Sequence, residues 1–133
     1  MRDISNSDLL DASEKRALDT DHDDMIYLAN QLGEAARVHN VELFLRLAES
    51  TVDRLISHMR DEHSVIELIS EISAKKYSKL NQAIEVQGLT ILSLLEHKQD
   101  PKTLQGCAEE LRRIIEREIL ISNKKKREAQ FQS

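Results

Sequence analysis

The segment from Ser57 to His63, with the sequence SHMRDEH, carries the side chains best suited to chemistry. His58 and Glu62 are four residues apart, so on a helix they lie on the same face. Imidazole nitrogens and carboxylate oxygens are metal ligands, and helical bundles direct such pairs toward their interior. His58 and His63 are five residues apart and cannot share a face, so the segment is not the metalloprotease motif H-E-x-x-H and His63 is expected at the surface. The segment therefore predicts part of a buried site whose other members come from elsewhere in the chain.

The elements that must position these residues are helices. The chain has 133 residues with 3 Gly and 1 Pro, and it is rich in Leu, Ile, Ala, Glu and Lys, which favours helix. Apolar residues at three-and-four spacing predict four helices, over about 20–40, 41–63, 71–97 and 101–123. Asp100 as a cap and Pro101 in the first turn mark the start of the last one. We therefore predict an all-α, antiparallel up-down-up-down four-helix bundle over residues 19–123, preceded by an N-terminal arm over 1–18 and followed by a polar tail over 124–133.

Charge and composition exclude several classes of partner. The net charge is −5 and no basic face stands out, so nucleic acid is not an expected partner. No apolar run reaches the roughly 18 residues that a membrane span needs. The one cysteine, Cys107, is expected to be a small core residue without a disulfide partner, and the N-terminus lacks the apolar core of a secretory signal. These features favour a soluble protein of the cytoplasm.

Polar side chains on the apolar stripes of the predicted helices need an explanation, because an unpaired buried polar group costs about 1–3 kcal/mol. Each of the four helices contributes at least one of them, at a similar depth in an antiparallel bundle. They are His22, His58, Glu62, Tyr77, Asn81, Arg117 and Glu118. A cluster of this kind inside a bundle is the place where any chemistry is expected.

From the segment LDTDHDDMIYLANQL to the end of the fourth helix, the chain resembles the bacteriohemerythrins. That family holds two irons with a histidine on helix one, a histidine and a glutamate four residues later on helix two, two histidines four apart on helix three, and a histidine and an aspartate five apart on helix four. Laid without gaps on this sequence, the pattern is matched at His22, His58 and Glu62. The other four ligand positions carry Tyr77, Asn81, Arg117 and Ser122.

The resemblance implies a degenerate di-iron site in a hemerythrin-like bundle. One iron has lost all its terminal nitrogen ligands, whereas the other keeps His22, His58 and Glu62, a two-histidine, one-carboxylate set that can hold a single iron. Arg117 binds no metal, and its positive charge is expected to pair with Glu62 in place of the lost cation. Reversible oxygen carriage, which needs two irons, is not expected.

Two function classes follow from this interpretation. In the first, the protein is a non-enzymatic sensor or iron-binding protein with at most one metal, expected to be iron, at His22, His58 and Glu62. In the second, it is a metal-free scaffold that binds a protein partner, with Arg117 replacing the metal charge and the histidines kept as hydrogen-bonded core residues. A single-iron oxidase or an enzyme acting on nitric oxide has the least support. Tyr77 is expected to pack in the core, although a phenolate can ligate ferric iron.

Overall fold

The computed structural model describes the backbone of residues 12–132 and the side chains of residues 21–128. Four α-helices make up this part of the chain, and no strand occurs in it. They are α1 (Ala12–Arg37), α2 (Val41–Ile69), α3 (Glu71–His97) and α4 (Pro101–Gln132). The predicted all-α fold with four helices is confirmed. None of these helices is long and apolar enough to cross a membrane.

Short caps separate the helices. α1 ends in a Schellman motif, in which Asn40 N donates to Ala35 O at 2.9 Å and His39 N donates to Ala36 O at 3.1 Å. His39 has a φ of 52°, in the left-handed region that usually selects glycine. Asn40 then caps α2, because its side chain accepts a hydrogen bond from Leu43 N. The chain thus turns from one helix into the next within three residues.

Ser70 alone separates α2 from α3. Its backbone N–H donates to Ile66 O and closes α2, while its side chain accepts from Ser73 N and opens α3. The sequence predicted a break somewhere between residues 64 and 70, and the structure reduces it to this one extended residue. The predicted start of the last helix is confirmed, since Asp100 Oδ2 accepts from Thr103 N at 3.2 Å and the helix begins at Pro101.

The four helices form a bundle in which α2 packs against each of the others and α4 packs against α1 and α3 as well. Its main core is apolar, and each fully buried large side chain in it contributes about 1.5–3 kcal/mol. The largest of these side chains are Met25, Leu32, Phe44, Leu55, Ile84, Leu104, Leu111 and Ile115. A smaller apolar cluster contains Ile66 and Ala74. On α2 the main core ends at Met59, which follows His58 directly. Glu62 lies between Met59 and the smaller cluster at Ile66.

The structure corrects the predicted C-terminal boundary. Residues 124–133 were expected to form a polar tail, but α4 continues through Gln132, and Lys125 within it is buried. The physical reason is the phase of the helix: Lys125 lies seven residues, or two turns, after Glu118 and so shares its inward face. The predicted arm covers residues 1–18. Residues 1–11 lie outside the described residues, and α1 begins at Ala12, within the predicted arm.

Candidate metal centre

Three helices deliver polar side chains to one buried cluster. α1 supplies His22, and α2 supplies His58 and Glu62. α4 supplies Glu118, Ser122 and Lys125, which lie one or two turns apart on its inward face. All members are at most 7 % exposed: His22, His58, Glu62, Glu118, Ser122 and Lys125. The structure therefore brings together the three residues that the sequence analysis selected and adds a set from α4.

Two of the three distances among the predicted ligands suit a shared metal ion. The Nε2 atoms of His22 and His58 are 3.2 Å apart, and Nε2 of His58 is 3.5 Å from Oε2 of Glu62. Ligand atoms of the three residues all lie within 4.8 Å of one another. In the metal-free protein the short Nε2–Nε2 distance requires one imidazole to donate its proton to the other.

Asp21 orients His58. Nδ1 of His58 lies 3.2 Å from Oδ2 of Asp21, so the Nδ1 proton is directed at the carboxylate and Nε2 faces the cluster. Metal-binding histidines almost always donate their second ring N–H to a carboxylate or carbonyl in this way, which fixes the tautomer and raises the basicity of the ligand. Asp21 in turn lies 3.5 Å from the Arg54 guanidinium near the surface. The orientation of His58 is thus the one a metal ligand requires.

Glu62 is held as a carboxylate. Ser122 Oγ donates to its Oε2, and Lys125 Nζ donates to its Oε1 at 3.0 Å. Burial would raise the pKa of Glu62, but the hydrogen bonds from His58 and Ser122 and the charge of Lys125 lower it to about 2. Burial likewise opposes protonation of His58, yet the hydrogen bond to Glu62, together with the other nearby carboxylates, raises the pKa of His58. Glu62 is therefore ionised at neutral pH, and each of its oxygens accepts a hydrogen bond.

Glu118 differs from the other members because it has charge neighbours but no hydrogen bond. Both of its carboxylate oxygens are buried without a hydrogen-bond partner among the described residues. Oε1 lies 4.0 Å from Nε2 of His58 and 3.8 Å from Nζ of Lys125. Burial raises the pKa of Glu118 to about 7, an effect that the ammonium of Lys125 opposes and the charge of Glu62 reinforces. Burying an ionisable group without a hydrogen bond costs free energy. Glu118 is therefore a candidate for binding a cation.

Lys125 occupies the role that the sequence analysis gave to Arg117, and that prediction was wrong. Arg117 lies on the exposed face of α4, because one residue turns a helix by about 100° and the inward face is occupied by Glu118. The buried cation is Lys125, whose Nζ also donates to Asn81 Oδ1 at 2.7 Å. The idea of a buried cation beside Glu62 holds, with a different residue supplying the charge.

The other positions of the di-iron pattern make contacts that do not involve a metal. Tyr77 is buried as expected, and its hydroxyl donates to Glu128 Oε2 at 2.6 Å; burial and that carboxylate raise its pKa to about 12. Asn81 accepts the hydrogen bond from Lys125, and Ser122 Oγ lies 3.1 Å from Nε2 of His22 in addition to donating to Glu62. None of these side chains adds to the nitrogen ligands of the site.

Two further predictions on single residues are confirmed. His63 points away from the cluster, and its Nε2 lies 3.2 Å from the Glu67 carboxylate on the same helix. Cys107 is a buried member of the main core, and burial raises the pKa of its thiol, which keeps it in the unreactive protonated form.

Sequence reasoning missed Lys125 and the role of Asp21. The run KKKR resembles a solvated helix end, but the inward stripe of α4 runs through Leu111, Ile115, Glu118 and Ser122 to Lys125, and extending it by one turn would have identified the buried lysine. An aspartate at the start of a helix is expected to complement the helix dipole, so Asp21 does not stand out in the sequence. Its position directly before His22 hides its contact with His58, which is 37 residues away in sequence.

Comparisons with known proteins found no relative of this chain. No protein-family model matches it, and neither a curated protein nor a solved structure does.

Proposed function

We propose that this protein is a hemerythrin-like, antiparallel four-helix bundle that binds a single metal ion, iron, at His22, His58 and Glu62, and that it serves as a non-enzymatic iron-binding protein or sensor in the cytoplasm. The observation that carries the proposal is the convergence of three buried ligand atoms within 4.8 Å of one another. They come from two helices and include two imidazoles and a carboxylate, the set that suits a single non-haem iron.

The two donor distances that involve His58 agree with a bound ion. A metal held at about 2.1 Å by each donor separates adjacent donors by about 3.0–3.4 Å. The separations of 3.2 Å between the two imidazole nitrogens and 3.5 Å between His58 and Glu62 are close to that range. His58 is already oriented by Asp21, and Glu62 is already ionised. Entry of an ion would still displace the proton between the two imidazoles and a hydrogen bond from Ser122 or Lys125 to Glu62.

Lys125 supports a single ion in preference to two. Its ammonium lies 3.0 Å from Glu62 and 3.8 Å from Glu118, the place where a second cation would bridge the two carboxylates. It also binds Asn81, which stands at a position where the di-iron pattern has a histidine. A fixed positive charge at that point repels a second metal, so one metal per chain is expected.

The bound ion would supply a Lewis-acidic, redox-active centre with coordination positions left open. The residues of the chain would hold it in the buried interior: Asp21 maintains the tautomer of His58, and Ser122 and Lys125 hold Glu62. The links of one to three residues between helices support the antiparallel order, because short links place consecutive helices side by side.

Anaerobic titration of the metal-free protein with ferrous iron tests the proposal. Wild-type protein is expected to bind one equivalent, and His58→Ala and His22→Ala are expected to lose most of that affinity. His63→Ala is the matched control, since it removes a histidine from the same helix that faces away from the cluster. Binding that is equal in His58→Ala and His63→Ala would contradict the proposed site.

A metal-free scaffold that binds a protein partner is the second candidate, and the contacts of Lys125 favour it. This lysine neutralises Glu62 without any metal, and Ser122 donates to the other oxygen of the same carboxylate. In that case the cluster is a buried polar network whose function is structural, and wild-type protein would take up no metal in the titration. The unpartnered carboxylate of Glu118 argues for the first candidate, because a purely structural network is expected to satisfy all its members.

A further inference from the structure

Glu118 is the one buried group of the cluster that the three-ligand site does not explain. Its side chain is fully buried, and in the part of the chain that the structure describes neither of its oxygens receives a hydrogen bond. Buried polar groups are nearly always satisfied, so a buried carboxylate of this kind needs an explanation. A carboxylate without a hydrogen bond is the costliest kind of exception because it carries charge.

The location of Glu118 indicates what would satisfy it. Its Oε1 lies 4.0 Å from Nε2 of His58, the atom that also lies 3.2 Å from His22 and 3.5 Å from Glu62. Donors on opposite sides of an ion held at about 2.1 Å are separated by about 4.2 Å. The 4.0 Å between Glu118 and His58 is close to that separation, and because Glu118 lies outside the group of ligand atoms within 4.8 Å of one another, its carboxylate would move toward the ion on binding.

Lys125 explains why Glu118 does not simply bind the ammonium. Nζ is committed to Glu62 at 3.0 Å and to Asn81 at 2.7 Å, and it remains 3.8 Å from Glu118. The lysine thus lowers the electrostatic cost of Glu118 without satisfying its oxygens. The oxygen near Lys125, Oε1, is also the one that lies 4.0 Å from His58, so a cation beside His58 would share this oxygen with the ammonium.

We propose that Glu118 is a fourth protein ligand, so that the centre has two histidines and two carboxylates on three helices and selects a divalent transition-metal ion. This inference rests on the proposed function, since it adds a ligand to the same site. Four protein donors make the site more closed than a three-ligand set, and they tie α4 to α1 and α2 through the ion. Metal binding and packing of α4 are consequently coupled.

The proposal predicts opposite effects of one substitution on two properties. Glu118→Gln keeps the shape of the side chain but removes its charge, so the metal-free protein should unfold at the same or a higher denaturant concentration than wild type. Metal affinity should fall, because an amide is a much weaker ligand than a carboxylate. A residue with only a structural role would not improve the metal-free protein and weaken binding at the same time.

The test uses Co²⁺ as the probe, with binding followed at pH 8 by its visible absorption and by calorimetry. Glu116→Gln is the matched control, two residues away on the exposed face of α4. Glu118→Gln is expected to weaken Co²⁺ binding by about tenfold to a hundredfold and to change the visible spectrum, whereas the control matches wild type.

The two proposals fail in different ways. If wild-type protein binds Co²⁺ and Glu118→Gln binds it as tightly and with the same spectrum, Glu118 is not a ligand and the three-residue site stands. If wild-type protein binds neither Co²⁺ nor Fe²⁺, both proposals fall. A lower unfolding midpoint for metal-free Glu118→Gln than for the control would show that Glu118 already has a stabilising partner, and this would also overturn the inference.

Discussion

Replacing Lys125 by methionine probes the electrostatics of the buried cluster directly. The side chain of Lys125 is 3 % exposed, and it binds the fully buried Glu62. At 3.0 Å and an effective dielectric constant of about 20, one such pair of charges interacts by about 5 kcal/mol. Removing the ammonium while leaving the carboxylate buried costs about 3–5 kcal/mol in comparable cases.

The lower end of that range is expected for this protein. Glu62 keeps the hydrogen bond from Ser122 and its contact with His58, so the carboxylate is not left without a partner. Methionine also preserves much of the apolar packing of the lysine stem. We therefore expect Lys125→Met to lower the free energy of unfolding of the metal-free protein by about 3 kcal/mol.

Urea denaturation followed by circular dichroism, after treatment with a chelator, measures this change. Lys124→Met is the control, because Lys124 is the preceding residue on the exposed face of α4 and its substitution should change the stability by less than about 0.5 kcal/mol. The same Lys125→Met protein should bind metal more tightly, since the ammonium no longer competes for Glu62. Equal stabilities of the two variants would refute the account of Lys125 as the counter-ion of the cluster.

Three further predictions concern stability. His39→Gly should stabilise the protein by about 0.5 kcal/mol, because glycine adopts the left-handed conformation of this residue without strain, and His39→Ala should give no such gain. Urea denaturation midpoints measure the change, and a lower midpoint for His39→Gly than for wild type would contradict the assignment of strain. Ser70→Ala should cost about 1 kcal/mol through loss of the cap of α3, against little change for the exposed Ser64→Ala, and equal midpoints would argue against a capping role. The pKa of Glu118 is raised from 4.5 to about 7, so between these pH values the folded metal-free protein binds a proton that the unfolded chain has lost. Its free energy of unfolding should therefore fall as the pH rises from 4.5 to about 7. Glu118→Gln should abolish this fall, and an unchanged pH profile of stability would count against the raised pKa.

The fold was predictable because local signals agree with the packing. Apolar residues at helical spacing identified the four helices, and the inward positions of Phe44, Leu55 and Leu111 follow from that spacing alone. Asp100 and Pro101 marked a helix start with side chains suited to it. The link at Ser70 was harder to place, because one extended serine replaces the Gly or Pro that usually marks a break.

The candidate site was predictable in its candidate ligands, and its electrostatics were harder to predict. Polar residues on apolar stripes indicated a buried cluster, and the family resemblance then selected His22, His58 and Glu62 from it. The structure brings these three residues together. The choice between Arg117 and Lys125 depends on the phase of α4 and on how far the helix extends, which a charged C-terminal sequence conceals. The missing hydrogen bonds of Glu118 are a property of packing, and only three-dimensional distances reveal them.

The metal content of protein purified from iron-supplemented cells tests the central claim most directly. The measurement is elemental analysis of wild type and His58→Ala, with His63→Ala as the control. The account predicts close to one metal per chain in wild type and in the control, and loss of the metal in His58→Ala, whereas less than about a tenth of a metal per chain in wild type would contradict it.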